Sequence, residues 1–137
     1  MKKIFLDTNI LADLVGERTQ YDSGIEQLID AEYFPIICIS ALSVPVILYV
    51  FKIKMDSEEF LRFSEIISTM DILPLTSKII IDATKHISPD YEDSLQYLTA
   101  IENNCDYILT RDKKDFEKIK KVIPSKIKIV TNISQIK

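Results

Sequence analysis

Short runs of β-branched and aromatic residues alternate along this chain with longer stretches whose apolar positions recur three and four residues apart. The first run, Lys2 to Leu6, reads as a buried strand, and Thr8 to Val15 follows as a short helix ending near Gly16. Residues 19 to 31 carry Ile25, Leu28 and Ile29 at helical spacing. The segment YFPIICIS makes a second strand, after which Ser40 or Ser43 can cap an apolar helix that continues to about Lys52. Asp56 or Ser57 opens another helix, SEEFLRFSEIISTM, with Phe60, Leu61, Phe63, Ile66 and Ile67 on a broad apolar stripe. Ile72 to Pro74 suits a third strand, and SKIIIDATKHI is helical from Thr76 onward. SPDYEDSLQYLTAIENN then starts a helix with Ser88 as N-cap, Pro89 in the first helical position and acids in the first turn. Asn103 and Asn104 close it, and CDYILT and KIKIVT are the fourth and fifth strands, ending at Thr110 and near Thr131.

Strands that alternate with helices throughout predict a single α/β domain with a mainly parallel sheet. At 137 residues the chain is one domain's worth. Its 47% hydrophobic and 28% charged residues argue against a disordered tract. The longest apolar stretch, FPIICISALSVPVILYVF, is interrupted by Ser40, Ser43 and Pro45, so no membrane span is expected. The N-terminal apolar run stops at Asp7 without a signal-peptide pattern, and the expectation is a cytoplasmic protein. Cys38 and Cys105 sit in apolar surroundings and are expected as buried thiols, and with the lone His86 they make no zinc site.

Charge changes the picture by its distribution. Residues 1–110 contain 8 Lys/Arg and 18 Asp/Glu, a balance of −10, whereas residues 111–137 contain 9 and 3, a balance of +6. A solvated face explains such a basic segment on composition alone. The sharper explanation is a contact with a phosphate backbone beside an acidic site.

That acidic site follows from the strand order of the acids. In a parallel sheet, LDTN after the first strand and LTRDKKDF after the fourth deliver Asp7, Asp112 and Asp115 to the same carboxyl edge, where open α/β folds bind ligands. Asp90 and Asp93, three apart in DYED, add a further source on one helical face. Gathered carboxylates repel one another, so a cluster persists when a cation neutralises it. An all-oxygen set calls for a hard ion, Mg²⁺ or Mn²⁺. Each acid also has a structural explanation: Asp7 as a helix cap, Asp90 and Glu92 as complements to a helix dipole, Asp115 as a lysine partner or turn cap. Their coincidence at one edge is what carries the reading.

The blocks FLDTNILADL, ISALS and DYEDSLQYLTAIENNCDYILTRDKKDF, followed by a final short strand, resemble the PIN domain, the fold of VapC-type toxin nucleases and related metal-dependent ribonucleases. The resemblance implies a single PIN-like domain over residues 1–137, with a five-stranded sheet of order 3-2-1-4-5, helices on both faces and one or two Mg²⁺ or Mn²⁺ ions in an acidic pocket. In its terms Asp7, Asp93 and Asp112 look like the metal ligands and Asn9 and Thr110 like their polar partners. Asp90 and Asp115 are further acids of the ligand set or its surroundings. One departure stands out: the glutamate usual on the helix after the ISALS-like block falls at Val46, preceded by Pro45. Asp13 and Asp90 are the nearest substitutes.

The function implied is hydrolysis of RNA by a water that the metal activates, with a second ion about 4 Å away stabilising the leaving group. No protein general base is needed. Arg111, Lys113 and Lys114, beside Asp112, are candidates to hold the RNA backbone. By analogy an antitoxin protein is a partner, and a homodimer could use the helices around Val44 to Phe51 and Phe60 to Ile67, residues that suit a core equally well. The missing glutamate motivates an alternative, a degenerate PIN module that binds RNA or a protein without cutting. A receiver-like phosphoacceptor ranks behind both, because LDTN offers one acid where that chemistry wants two and the last strand ends in VTN without a lysine.

Overall fold

In the computed structural model, which describes residues 1–16, 23–25, 35–86, 88 and 90–137, the chain forms one five-stranded sheet. The strands are β1 (Lys3–Leu6), β2 (Ile36–Ser40), β3 (Asp71–Leu73), β4 (Tyr107–Leu109) and β5 (Lys128–Val130). All neighbours are parallel and the order is β3-β2-β1-β4-β5, as the resemblance implied. β1 is central, with Ile4 in register with Ile37 on one side and Tyr107 on the other. A strand covered on both faces has no polar side to present, which is why this one is apolar without alternation. Ile4 and Leu6 enter one core and Phe5 the other, all fully buried.

Six described helices cover the sheet: α1 (Thr8–Val15), α2 (Ser43–Val50), α3 (Glu58–Ser68), α4 (Ser77–Thr84), α5 (Tyr91–Glu102) and α6 (Lys113–Val122). Ile10 and Leu11 of α1, Ile47 of α2 and Phe63 of α3 pack on the face of Ile4 and Leu6. Tyr97 and Ala100 of α5, with Phe116 and Ile119 of α6, pack on the face of Phe5, Cys38 and Ile108. α4 lies against α5 through Ile79, Ala83, Leu95 and Leu98. Each fully buried side chain of this size contributes roughly 1.5–3 kcal/mol of transfer free energy. Cys38 and Cys105 are free and buried, as expected. No helix among the described residues is long and apolar enough to cross a membrane.

Several local expectations are corrected. Ser88 does not cap α5: the cap is Asp90, whose carboxylate accepts from Asp93 N–H at 3.1 Å, while the Ser88 hydroxyl donates to the Asp90 carbonyl. A carboxylate at the positive end of the helix dipole outcompetes a neutral hydroxyl for that role. Pro89 lies outside the described residues, as does the helix expected over residues 19–31 apart from residues 23–25. Neither Ser40 nor Ser43 caps α2, which begins after Leu42 without a side-chain cap and ends at Val50 rather than Lys52. Lys52 has φ +53°, a left-handed turn that stops the helix. Ser57, not Asp56, caps α3. β3 runs Asp71–Leu73 and stops before Pro74, which has no N–H to donate.

α6 is a helix that the apolar pattern does not announce, since KKDFEKIKKV is mostly charged. Its two buried residues, Phe116 and Ile119, are three apart and suffice to dock it. The apolar helices α2 and α3 divide between both roles weighed for them. Ile47 and Phe63 are core, while Tyr49, Val50 and Leu61 are exposed.

Candidate active site

Asp7 stands where β1 ends. Its N–H donates to the Leu109 carbonyl at 3.0 Å, so the pairing with β4 extends one residue past the strand before the chain turns into α1. The residue occupies the N-cap position of α1, yet its side chain makes no cap bond. Asp7 Oδ2 instead accepts the Thr110 hydroxyl at 2.9 Å, and the carboxylate is 3% exposed. Thr110 Oγ1 in turn accepts Asp112 N–H at 2.9 Å, and Asn9 Nδ2 donates to Asp112 Oδ2 at 3.2 Å. Asn9 and Thr110 therefore tie the end of β1 to the end of β4 through the two carboxylates.

Asp93 arrives from the first turn of α5, half-buried, with its backbone fixed by the Asp90 cap. Burial is the main reason its carboxyl is pushed up to about 7, and the negative charges of Asp7, Asp90, Asp112 and Asp115 push the same way. Burial also raises Asp7, to about 6, against the Thr110 hydrogen bond, with Asp112 and Glu92 adding to the rise. The acids from three elements thus feel one another across a single edge of the sheet. Glu92, a dipole-complementing acid by sequence, belongs to this field.

The donor chemistry can be compared with what a divalent cation requires. Among the described residues no three His, Cys, Asp or Glu side chains form a ready-made metal cage. Asp112 is exposed just before α6, with its Oδ2 held by Asn9. Mg²⁺ keeps several waters and needs only one or two carboxylates directly. An all-oxygen donor set whose buried carboxyls are raised by desolvation and by the charge of neighbouring acids fits such a partly hydrated ion.

The basic candidates divide. Lys113 and Lys114 are exposed at the start of α6. Arg111 turns inward, with Nε 3.3 Å from Oδ2 of the buried Asp13. Asp13 is buried and already faces a guanidinium, which speaks against it as the substitute for the missing glutamate. Asp115 sits in the first turn of α6 and makes no ion pair with a lysine among the described residues.

One group escaped the sequence reading. Gln96, fully buried on α5 one turn beyond Asp93, donates from Nε2 to Thr8 Oγ1 at 2.9 Å and to Ser43 Oγ at 3.3 Å, and the two hydroxyls lie 2.8 Å apart. These contacts lock α1, α2 and α5 together behind Asp7 and Asp93. The available signal was a glutamine inside Ser94–Ala100, a stretch buried at every position. Gln96 Oε1 has no hydrogen-bond partner among the described residues.

A family model described as the PIN domain matches residues 4–122. Ribonuclease VapC1 of Aquifex aeolicus (strain VF5) is 27% identical over 121 residues, which span 82% of this chain and 83% of that protein. The solved structure of VapBC2 from Rickettsia felis bound to a DNA fragment from their promoter aligns with a TM-score of 0.66 at 19% identity, covering 93% of this chain and 96% of that one. FitAB bound to an IR36 DNA fragment gives 0.64 at 18% identity over 92% of each chain. At these identities the two structures speak for the fold.

Proposed function

The chain belongs to the PIN domain family, and from that premise we propose that it is a metal-dependent endoribonuclease, the toxin of a VapBC-type toxin–antitoxin pair acting in the cytoplasm. The observation that carries the reading is the convergence of Asp7, Asp93 and Asp112 at the carboxyl edge, close enough that the charges of Asp7 and Asp112 both raise Asp93. The likeness to Ribonuclease VapC1 supports RNA as the substrate class. A Mg²⁺ or Mn²⁺ ion held by Asp7, Asp93 and Asp112, with Asp90 close by, would supply the Lewis acidity that activates water and offsets charge on the phosphodiester.

The chain's own residues prepare that site. Thr110 holds Asp7 Oδ2 in one orientation, and Asn9 does the same for Asp112. The Gln96–Thr8–Ser43 contacts keep the helix that carries Asp93 against the helix that follows Asp7. Lys113 and Lys114 supply positive charge next to Asp112 for the phosphate backbone, which positions the strand without reading its sequence. Tyr49, Val50, Met55 and Leu61 are all more than half exposed and offer an apolar surface for an antitoxin or a second copy of the chain.

Mn²⁺ and Mg²⁺ titrations with single-stranded and structured RNA, on wild type and Asp7→Asn, test this reading. Metal-dependent cleavage lost in the variant is the expected result, and cleavage retained in Asp7→Asn removes the metal assignment. A second reading is favoured by Val46, which puts an apolar side chain where the family's glutamate is usual. If RNA binds to the folded protein and stays intact with either metal, the non-cutting PIN module is the better description.

A further inference from the structure

The acidic edge uses Lys113 and Lys114 but leaves most of the positive charge of the C-terminal segment unexplained. α6 starts at that edge beside Asp112 and runs back along the sheet, about 15 Å for its 10 residues. Lys114, Lys118 and Lys121 recur on it at intervals of four and three, on the side opposite the buried Phe116 and Ile119, and all three are exposed. Past the end of α6 the chain turns through Pro124 into β5, at the amino edge of the sheet. There a cleft of about 480 Å³ is lined by Lys2, Lys126 and Lys128 together with Asn104, Tyr107 and Ser125, and by Asp106, whose Oδ2 accepts Lys3 N–H.

These lysines differ from their neighbours in having nothing to hold. Lys3 Nζ donates to the Asn103 carbonyl at 2.6 Å and Lys120 Nζ to the Ile127 carbonyl at 2.7 Å, so both are structural. Among the described residues the ammonium groups of Lys2, Lys114, Lys118, Lys121, Lys126 and Lys128 make no hydrogen bond or ion pair. Glu117 stands at helical spacing to Lys121 without pairing with it. The acids beside them, Asp115 and Glu117 on α6 and Asp106 in the cleft, form no ion pair with any of these six, which leaves an excess of positive charge that a polyanion relieves. Residues 1–110, which contribute only Lys2 to this set, carry −10, so the protein attracts nucleic acid chiefly where these lysines stand.

We propose that Lys114, Lys118 and Lys121 of α6, continuing into the cleft of Lys2, Lys126 and Lys128, form a track for the phosphate backbone of single-stranded RNA leading away from the acidic edge. The identity of the polyanion rests on the nuclease reading. The track itself rests on placement: helix spacing puts neighbouring ammonium groups about 5–6 Å apart at their Cβ atoms, and the short strands, about 10 Å long, put the cleft within a few nucleotides of Asp7. Substrate length then matters, because only an RNA that extends beyond the acid cluster reaches the cleft.

The test uses equilibrium binding in metal-free buffer, so that it does not depend on cleavage. Fluorescence anisotropy of a labelled single-stranded RNA is followed from 50 to 200 mM salt for wild type, for Lys118→Gln/Lys121→Gln/Lys126→Gln/Lys128→Gln, and for Lys52→Gln/Lys54→Gln as a charge control on the far side. Each phosphate contact on a single strand adds about 0.7 to the log–log salt slope, so losing four lowers it by about 2.8, equivalent to about a fifty-fold smaller loss of affinity over that salt range. The control slope stays near wild type. An unchanged slope in the fourfold variant overturns the track, as does an equal drop in the control or stronger lysine-dependent binding to duplex DNA than to RNA. Wild-type RNA binding with the expected slopes but no metal-stimulated cleavage overturns the nuclease reading and leaves the track standing.

Discussion

Asp7→Asn should make the metal-free protein more stable while removing its activity. Asp7 ionises at about 6 in the folded chain against a reference of 3.8, chiefly because burial disfavours the charge. The folded state therefore binds this proton more tightly than the unfolded state, and stability falls as pH rises from about 3.8 to about 6, with the full penalty above that. The distance from 3.8 to about 6 corresponds to about 3 kcal/mol at pH 8. Asparagine keeps the shape of the side chain, its carbonyl can accept the Thr110 hydroxyl, and it adds no charge to the field of Asp93. In a chain of this size about 1 kcal/mol moves Tm by roughly 3 °C, so the variant in EDTA at pH 8 should melt up to about 9 °C above wild type. The gap should close as pH falls towards 4. Mg²⁺ or Mn²⁺ at about 1,000 times its Kd should reverse the order, since it adds about 4.1 kcal/mol to the protein that binds it. Thermal melts by circular dichroism across pH, with and without metal, measure all of this. An Asp7→Asn variant that is less stable than wild type in EDTA at pH 8, or offset by the same amount at every pH, would refute the claim that a buried, uncompensated carboxylate sits at this edge.

Other expectations concern neighbouring residues. Asp112→Asn should abolish metal-stimulated cleavage with a change in stability below about 0.5 kcal/mol, because Asp112 is exposed; a large drop in Tm would point to a structural role. Gln96→Leu leaves the Thr8 and Ser43 hydroxyls without their amide donor and should cost about 1–3 kcal/mol in urea unfolding. Arg111→Gln removes the guanidinium 3.3 Å from the buried Asp13 carboxylate and should destabilise by up to about 3 kcal/mol, with Asp13→Asn in the same chain restoring much of it; an unaffected Tm together with weaker RNA binding would instead make Arg111 a backbone contact. Val46 shares a helix face with Ser43, which touches Thr8 next to Asp7. Val46→Glu should accordingly tighten Mn²⁺ binding in calorimetry, and unchanged affinity would show that this face does not reach the acids.

Much of the architecture was legible in the residues themselves. Period-two and period-3.6 patterns are local: Lys2–Leu6 read as a short buried strand, the alternation of strands and helices pointed to a mainly parallel sheet, and the strand order and the helices on both faces followed from the family resemblance. The acids after β1 and β4 followed from that topology, because parallel strands deliver their carboxyl ends to one edge. Capping was less legible, since Ser88 and Asp90 are both good caps and the choice depended on which group could meet Asp93 N–H. α6 was hidden for a related reason: its docking needs only Phe116 and Ile119, and a hydrophobic pattern of two residues is too small to stand out. Pairings across long sequence separations were out of reach of any local pattern. Thr110 holding Asp7, Arg111 turning to Asp13, and Gln96 reaching Thr8 and Ser43 join residues 53 to 103 positions apart. Sequence thus determined which residue types reach the carboxyl edge. Only the packed structure decided which of them are buried, which repel and which are already paired, because burial and charge proximity are properties of three-dimensional neighbours.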